Sequence, residues 1–319
     1  MDRRKFITHS LAAGIATTGL AGCSINGATT AGNTTHNVNA VDEILSLAER
    51  QRWLRPFSCN IEQWFRPMPF LDRINAAKAL GFSAVEIWNP HHEARGKTPE
   101  TIAQRAKEQG IKVTTYSPRV PALADPKNES LIMPWLDKTI AAGKTLNVKN
   151  FNLTGHKLVP GLSLDELVAN YTHALKLMVP RLEAENITAT IEPYNPSNHK
   201  GDFLYGHEPA LSICREVNSP NVKLNWDFFH MQRTNGNLIT NLENGFDQVT
   251  YIQFADSPGR NQPGTGEVVY DRVFTRLREL GYQGYIGAEF FPKDKDHLKA
   301  ASDIAKIAKR INLADAIIT

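Results

Sequence analysis

The chain alternates short β-prone runs with longer segments of helical period, and this pair recurs eight times from about residue 54 onward. A repeated strand–helix unit is typical of an α/β protein with a parallel sheet covered by helices. An open doubly wound sheet would more often have about five or six strands and a glycine-rich phosphate turn. No GxGxxG motif follows any predicted strand. The pattern therefore predicts one closed (β/α)8 barrel.

Glycines lie at several of the predicted helix–strand junctions. Gly81, Gly110 and Gly281 each follow a helical segment and precede a β-prone run, which is the place of a left-handed helix cap. The predicted strands are Pro56–Ile61, Ala84–Trp88, Lys112–Tyr116, Val148–Leu153, Ile187–Glu192, Val222–Asp227, Val249–Ala255 and Tyr285–Phe290.

The length of the chain suits this architecture. It has 319 residues, of which 41% are hydrophobic and 22% charged, an ordinary globular composition. A barrel of this kind typically takes about 250 residues as one unit. We therefore assign residues 51–319 to a single barrel domain that carries the activity.

The N-terminus has the features of an export signal. Arg3-Arg4 opens a twin-arginine pattern, and a weakly apolar run follows at residues 11–20, which is too short to span a bilayer. Leu-Ala-Gly then precedes Cys23, as in a lipobox. We predict that residues 1–22 are a signal peptide and that Cys23 is lipidated. The alternative is an ordinary frayed N-terminus.

Residues 23–50 are predicted to be a flexible tether and a leading helix, because positions 24–40 are uncharged and rich in Gly, Asn, Thr and Ala. The protein would be periplasmic and would contact a membrane through its N-terminal lipid alone.

Loss of the signal peptide removes three basic residues and one acidic residue, which lowers the formal net charge of +3 by two. Near-neutrality disfavours a dedicated nucleic-acid binder. Cys59 and Cys214 fall on distant elements, so no structural disulfide is expected.

Four consecutive predicted strands carry an oxygen ligand near their carboxyl ends. These residues are Glu192, Asp227, Gln253 and Glu289. The carboxyl ends of barrel strands converge on one mouth, where three buried carboxylates would repel one another. A divalent cation would remove this repulsion, and an all-oxygen set favours Mg²⁺ or Mn²⁺. The alternative is that each acid pairs with an Arg or Lys at the rim.

Several short motifs in the same order resemble the xylose-isomerase-like TIM barrel family, and within it the hydroxypyruvate isomerase branch. The resemblance runs from about Phe57 to Pro292. The matching stretches are Ile191-Glu192-Pro193 with Asn195, Trp226–Gln232, Ile252-Gln253, Asp256–Arg260, Pro263–Glu267 and Gly287-Ala288-Glu289.

The resemblance implies an acid/base pair at the metal. The glutamates at positions 192 and 289 would bind the cation and exchange protons with the substrate, because moving a carbonyl between adjacent carbons passes through an enediolate. His230 and Arg260 would hydrogen-bond substrate oxygens. Glu86 and Trp88 are further candidates for the mouth, with a rim ion pair and a packing aromatic as their alternatives.

The branch is supported by Gln253, since many sugar epimerases of this superfamily have histidine there. Asn261-Gln262 departs from the branch, which often has His-Glu. The leading hypothesis is a metal-dependent isomerase or epimerase of a small hydroxy-carbonyl compound or ketose. The alternatives are a lyase acting on keto-glycosides and a non-catalytic sugar-binding lipoprotein. Either a monomer or a homo-oligomer is compatible with the sequence.

Overall fold

The computed structural model describes residues 43–154 and 156–317, so the predicted signal peptide, Cys23 and most of the tether lie outside the described residues. Eight parallel strands form a nearly closed barrel in the order β3-β2-β1-β8-β7-β6-β5-β4. They are β1 (Phe57–Asn60), β2 (Ala84–Trp88), β3 (Lys112–Ser117), β4 (Asn150–Leu153), β5 (Thr188–Ile191), β6 (Val222–Asp227), β7 (Val249–Phe254) and β8 (Ile286–Ala288). Each overlaps a predicted strand, which confirms the predicted (β/α)8 barrel.

Helices connect the strands and cover the barrel. They are α1 (Leu47–Trp53), α2 (Phe70–Leu80), α3 (Pro99–Gln109), α4 (Glu129–Leu146), α5 (Leu164–Glu185), α6 (Ala210–Val217), α7 (Phe228–Thr234), α8 (Leu238–Gly245), α9 (Tyr270–Glu279), α10 (His297–Arg310) and α11 (Leu313–Ala316). α1 crosses the predicted domain boundary at residue 50. In the described part of the chain, no helix combines the length and apolarity needed to cross a membrane.

Local sequence determines where many of these helices begin and end. Ser163 caps the N-terminus of α5 in a reciprocal capping box with Glu166. Gly81 and Gly110 end α2 and α3 with φ of 110° and 56°, as predicted from the glycine pattern. Gly281 also has a positive φ, 80°, just after α9. These stops return the chain to the sheet at the start of the next strand.

The core lies between the strands and the surrounding helices. A representative cluster joins Phe57 of β1 and Phe254 of β7 to Phe274 of α9, with edge-to-face ring contacts at centroid distances of 5.2–5.7 Å. Cys59 and Cys214 are buried as free thiols. The strands are buried along most of their length, and polar side chains such as Ser58, Asn60, Asn225 and Gln253 are buried with them.

Strand register places the polar interior residues in a layer of two adjacent rows. Asn60 pairs with Glu86 across β1 and β2, Asp227 with Gln253 across β6 and β7, and Gln253 with Gly287 across β7 and β8. A Cβ atom at position 287 would lie 2.2 Å from Glu86 Oε2, so this position requires glycine. The layer lies directly beneath the carboxyl ends of the strands.

Candidate active site

Three carboxylates meet at the carboxyl end of the barrel and form what we call the acidic centre: Glu192, Asp227 and Glu289. Asp227 ends β6, and the two glutamates directly follow β5 and β8. Their exposed fractions are 3%, 0% and 4%. Arg260 reaches in from the loop after β7, and its Nη2 lies 3.1 Å from Glu289 Oε2 and 3.4 Å from Asp227 Oδ2. The three acids and Arg260, all predicted from the sequence, therefore lie together at one site.

His230 joins the acidic centre because α7 begins immediately after β6. The Asp227 carboxylate caps this helix by accepting a hydrogen bond from the Phe229 N–H at 2.8 Å. One turn later, His230 Nε2 lies 3.4 Å from Glu192 Oε1 and 3.5 Å from Asp227 Oδ2. Suitable ligand atoms of Glu192, Asp227 and His230 all lie within 4.8 Å of one another, close enough to hold one metal ion.

The hydrogen bonds of Asn195 determine the tautomer of His230. Asn195 Oδ1 accepts the backbone N–H of Asn198 at 3.0 Å, so its Nδ2 faces His230 Nδ1 at 2.7 Å. Nδ1 is then the acceptor and Nε2 carries the proton. Nε2 has no hydrogen-bond partner among the described residues. In this arrangement His230 Nε2–H is a donor left free by the described residues, which is compatible with the substrate-binding role that the family resemblance implies.

Gln253 is in register with Asp227, and its amide is held at both atoms. Its Nε2 donates to Glu86 Oε1 at 3.0 Å, and its Oε1 accepts a hydrogen bond from Asn225 Nδ2. Glu86 is only 1% exposed and contacts Gln253 from beneath rather than lining the open mouth. Burial raises the pKa of Glu86 to about 7, partly offset by the hydrogen bond from Gln253.

Trp88 is half-buried at the rim, and its indole Nε1 donates to Glu289 Oε1 at 3.3 Å. A buried ion pair between Glu62 and Lys97 holds its backbone: the Trp88 N–H donates to Glu62 Oε1 at 3.0 Å, and Lys97 Nζ donates to the Trp88 carbonyl at 2.7 Å. No sequence pattern indicated this pair, because its two residues lie in separate loops.

The acidic centre buries three carboxyl groups close together, which disfavours their charged forms. Burial raises the pKa of the Glu289 carboxyl well above its usual range, against the opposing effect of Arg260. Burial also raises the pKa of Glu192 and of Asp227. Burial acts to lower the pKa of Arg260, but the nearby carboxylates outweigh it and the net shift is upward. Three carboxylates against one guanidinium leave an excess of negative charge, which a divalent cation would balance.

His199 is a mouth residue that the sequence did not single out. Its ring stacks on Tyr194 at a centroid distance of 3.6 Å and meets the His230 ring edge-on at 5.0 Å. Burial and the neighbouring His230 lower its pKa to about 4, so the imidazole is neutral near pH 7. Because it lies in the long loop after β5, no helix or strand period pointed to it.

The loop after β7 is organised by one buried carboxylate, that of Asp256. It accepts hydrogen bonds at 2.8–3.1 Å from five backbone N–H groups, those of Ser257, Gly264, Thr265, Gly266 and Val268. The Asp256 carbonyl also accepts the N–H of Arg260, which has a left-handed φ of 54°. The carboxylate therefore holds the loop that brings Arg260 into the acidic centre.

Asn261 and Gln262, the departure from the branch pattern, have structural partners. Asn261 Nδ2 donates to the Phe291 carbonyl at 2.6 Å, and Gln262 Oε1 accepts the Lys293 N–H at 2.9 Å. Both amides therefore tie the loop after β7 to the loop after β8. This places Arg260 and Glu289 on two loops that are held together.

The fold and the site define a (β/α)8 barrel with a carboxylate-lined mouth, and comparison with known proteins identifies its family. Residues 74–310 match the model of the xylose isomerase-like TIM barrel, so the chain belongs to this family. It is 28% identical over 241 residues to hydroxypyruvate isomerase of Escherichia coli K12, covering 74% of this chain and 93% of that enzyme. It is 31% identical over 249 residues to a putative hydroxypyruvate isomerase of Drosophila melanogaster, covering 74% and 92%.

Solved structures confirm the fold. An AP endonuclease, family 2, from Brucella melitensis superposes with a TM-score of 0.71 at 24% identity, covering 80% of this chain and 98% of that one. At this level of identity the likeness shows the fold alone, since one barrel hosts many activities.

Proposed function

We propose that the protein is a metal-dependent isomerase or epimerase that removes and returns a proton next to the carbonyl of a small hydroxy-carbonyl compound or ketose. One observation carries the proposal: buried Glu192 and Glu289 approach a shared centre from β5 and β8, with Asp227 and Arg260 between them. The similarity to hydroxypyruvate isomerases supports the same class of reaction.

The chemistry that this centre suits is proton transfer beside a carbonyl. One carboxylate would remove the proton from the carbon next to the carbonyl, and the other, protonated, would return one. In an isomerase the proton returns to the former carbonyl carbon while the hydroxyl proton passes to the former carbonyl oxygen, and in an epimerase it returns to the opposite face of the same carbon. Burial disfavours the charged form of both groups, which makes a carboxylate here a stronger base than in water. The His230 Nε2–H and the Arg260 guanidinium would bind the substrate oxygens on which negative charge develops.

The residues fit a hard divalent cation. Glu192, Asp227 and Glu289 supply buried carboxylate oxygens, and Gln253 would add an amide oxygen, a set that suits Mn²⁺ or Mg²⁺. His230 is excluded from this proposed set as long as Asn195 keeps the proton on Nε2. A cation bound there would stabilise the negative charge of an enediolate.

Proton exchange with heavy water tests the proposal. Purified protein loaded with Mn²⁺ is expected to introduce deuterium next to the carbonyl of at least one compound in a panel of ketoses and short hydroxy-carbonyl acids. Treatment with EDTA is expected to lower the exchange rate by about 100-fold or more, and Mn²⁺ or Mg²⁺ should restore it. A protein that catalyses no exchange across the panel would contradict the proposal.

Product analysis separates the alternatives. An isomerase conserves the mass of its substrate, whereas a lyase acting on keto-glycosides releases an aglycone. A sugar-binding lipoprotein would bind a panel member tightly, would keep that affinity in Glu289→Gln, and would show no turnover in the parent protein.

We also propose that the protein is exported and held at a membrane by lipid on Cys23. The support is the order of twin arginines, short apolar run and lipobox. In full-length protein, Cys23→Ser is expected to move the protein from the membrane fraction to the soluble periplasmic fraction. Arg3→Lys/Arg4→Lys is expected to retain it in the cytoplasm. Recovery of the parent protein in the soluble cytoplasmic fraction would contradict the proposal.

A further inference from the structure

A chain of side-chain hydrogen bonds runs around the inside of the barrel beneath the acidic centre. We call its four amide side chains the amide network: Asn60, Asn152, Asn225 and Gln253. All four are buried, with exposed fractions of 2% or less. One end of the network reaches Glu192 and the other reaches Glu289 by way of Glu86. The two glutamates proposed to exchange protons are thus joined from below.

The first half of the network starts at Asn225. Its Nδ2 donates both to Asn152 Oδ1, at 3.2 Å, and to Gln253 Oε1. Asn152 Nδ2 then donates to Glu192 Oε2. Asn225 therefore donates to both neighbours, and the branch through Asn152 ends at the carboxylate of Glu192.

The second half of the network converges on Glu86. Gln253 Nε2 donates to Glu86 Oε1 at 3.0 Å, and Asn60 Nδ2 donates to the same oxygen at 2.8 Å. Asn60 Nδ2 also donates to Glu289 Oε1 at 3.0 Å. The orientation of the Asn60 amide is independently set, because its oxygen accepts two backbone N–H groups of the loop after β1 at 3.1 and 3.2 Å.

Glu86 receives a third hydrogen bond, from the Tyr251 hydroxyl to Oε2 at 2.7 Å. In its ionised form Glu86 accepts from all three partners, which requires Gln253 to present its nitrogen to the carboxylate. If the two amide atoms of Gln253 exchanged places, its oxygen would face the carboxylate and its nitrogen would face the donating Asn225 Nδ2. Packing reinforces the arrangement, because a Cβ at Gly287 would meet Glu86 Oε2 at 2.2 Å and Gln253 Cγ at 2.9 Å.

We propose that Glu86 is a positioning residue for the reaction centre. It holds the Gln253 amide with the oxygen turned away from it, and it shares the Asn60 amide nitrogen with Glu289 Oε1. The inference rests on the proposed function where it takes Gln253 as a ligand and Glu289 as an acid/base group. Glu86 acts through its neighbours and does not touch the substrate.

Glu86→Gln tests the proposal with little change in volume. The new amide can donate to Gln253, so the Gln253 amide is free to turn over. Calorimetric titration with Mn²⁺ is expected to show affinity about 10-fold weaker than in the parent, as for other residues that orient a ligand. We expect kcat to fall and KM to change little, because the residues that contact substrate are intact.

A double variant moves the carboxylate from position 86 to position 253 and tests the pairing of donor and acceptor. Glu86→Gln combined with Gln253→Glu exchanges acceptor and donor while the net charge is unchanged, and it is expected to regain most of the Mn²⁺ affinity. Thr115→Val is the matched control: Thr115 is in register with Glu86 and 1% exposed, and its hydroxyl has no hydrogen-bond partner among the described residues. This variant is expected to behave as the parent does.

Parent-like Mn²⁺ affinity and kcat in Glu86→Gln would overturn the inference, and so would a double variant as weak as the single one. The midpoint of urea unfolding without metal gives a readout that does not depend on activity. Each single variant is expected to lower the midpoint, and the double variant to recover it. A parent protein that neither binds Mn²⁺ nor exchanges protons would overturn the proposed function. If the midpoint shifts of the single variants Glu86→Gln and Gln253→Glu simply add in the double variant, the role of Glu86 is overturned.

Discussion

Replacing Glu289 by Gln is expected to lower the rate of proton exchange by about 1000-fold, because an amide can neither take up nor return a proton at neutral pH. The substitution also changes the local pairing. Glu289 Oε1 accepts from Asn60 and Trp88, and Oε2 faces Arg260 Nη2 at 3.1 Å. The Gln oxygen can keep the first two hydrogen bonds, but its NH₂ group would face the guanidinium. We expect kcat to fall much more than KM changes.

The measurement is single-turnover deuterium exchange with the best substrate of the panel, at saturating Mn²⁺. Glu192→Gln is expected to show a comparable loss, since both carboxylates are needed for a proton to leave one carbon and reach the other. Glu243→Gln is the control, because Glu243 pairs with Arg276 at the surface of α8 and is distant in sequence from the strand ends. Retention of more than about a tenth of the parent rate in Glu289→Gln would rule out its acid/base role.

Asp256→Asn is expected to destabilise the protein by about 3 kcal/mol, since a charged acceptor of several buried N–H groups is lost. The replacement keeps one carbonyl oxygen but turns an NH₂ group towards backbone donors. If the amide oxygen takes the place of Oδ2, it keeps the three donors of the Gly264–Gly266 turn, and the NH₂ group faces the N–H groups of Ser257 and Val268. The turn is closely packed, since a Cβ at Gly266 would lie only 2.0 Å from the Ser257 carbonyl oxygen. The loop therefore has little freedom to repair the loss by moving.

Urea unfolding measures this effect, and turnover measures its consequence for Arg260. We expect KM to rise in Asp256→Asn, because the guanidinium is no longer held against Asp227 and Glu289. Asp247→Asn is the matched control: Asp247 pairs with Arg215 at 2.8 Å on the surface, and loss of such a pair costs about 0.5 kcal/mol. Equal stability of the two variants would show that the Asp256 carboxylate is not the anchor of the loop.

The strand-end residues could be predicted from the sequence because a parallel barrel collects the carboxyl ends of its strands at one mouth. Eight β-prone runs indicated the barrel, and the acids at the ends of the fifth, sixth and eighth runs then had to converge. The role of His230 came instead from the family resemblance, which includes the Trp226–Gln232 stretch. The strand-end inferences use a local pattern and one general rule of topology.

Other parts of the site depend on contacts between distant segments. Asn60 and Asn225 are unremarkable amides inside strands, and their role depends on which side chains the register places opposite them. Glu86 was predicted at the end of a strand, but the sequence alone did not show that Tyr251 and Gln253 enclose it. His199 comes from a loop whose course is determined by tertiary contacts.

The sequence by itself determined the barrel, the strands that carry the acids and the kind of chemistry they favour, because period, glycine caps and residue type are local properties. Only the tertiary structure decided how the charges are compensated. Arg260 reaches Asp227 and Glu289 because Asp256 organises its loop, and Glu86 lies under Gln253 because glycine at position 287 leaves the space. Hydrogen bonding and charge compensation act over a few ångströms in space, whatever the separation along the chain.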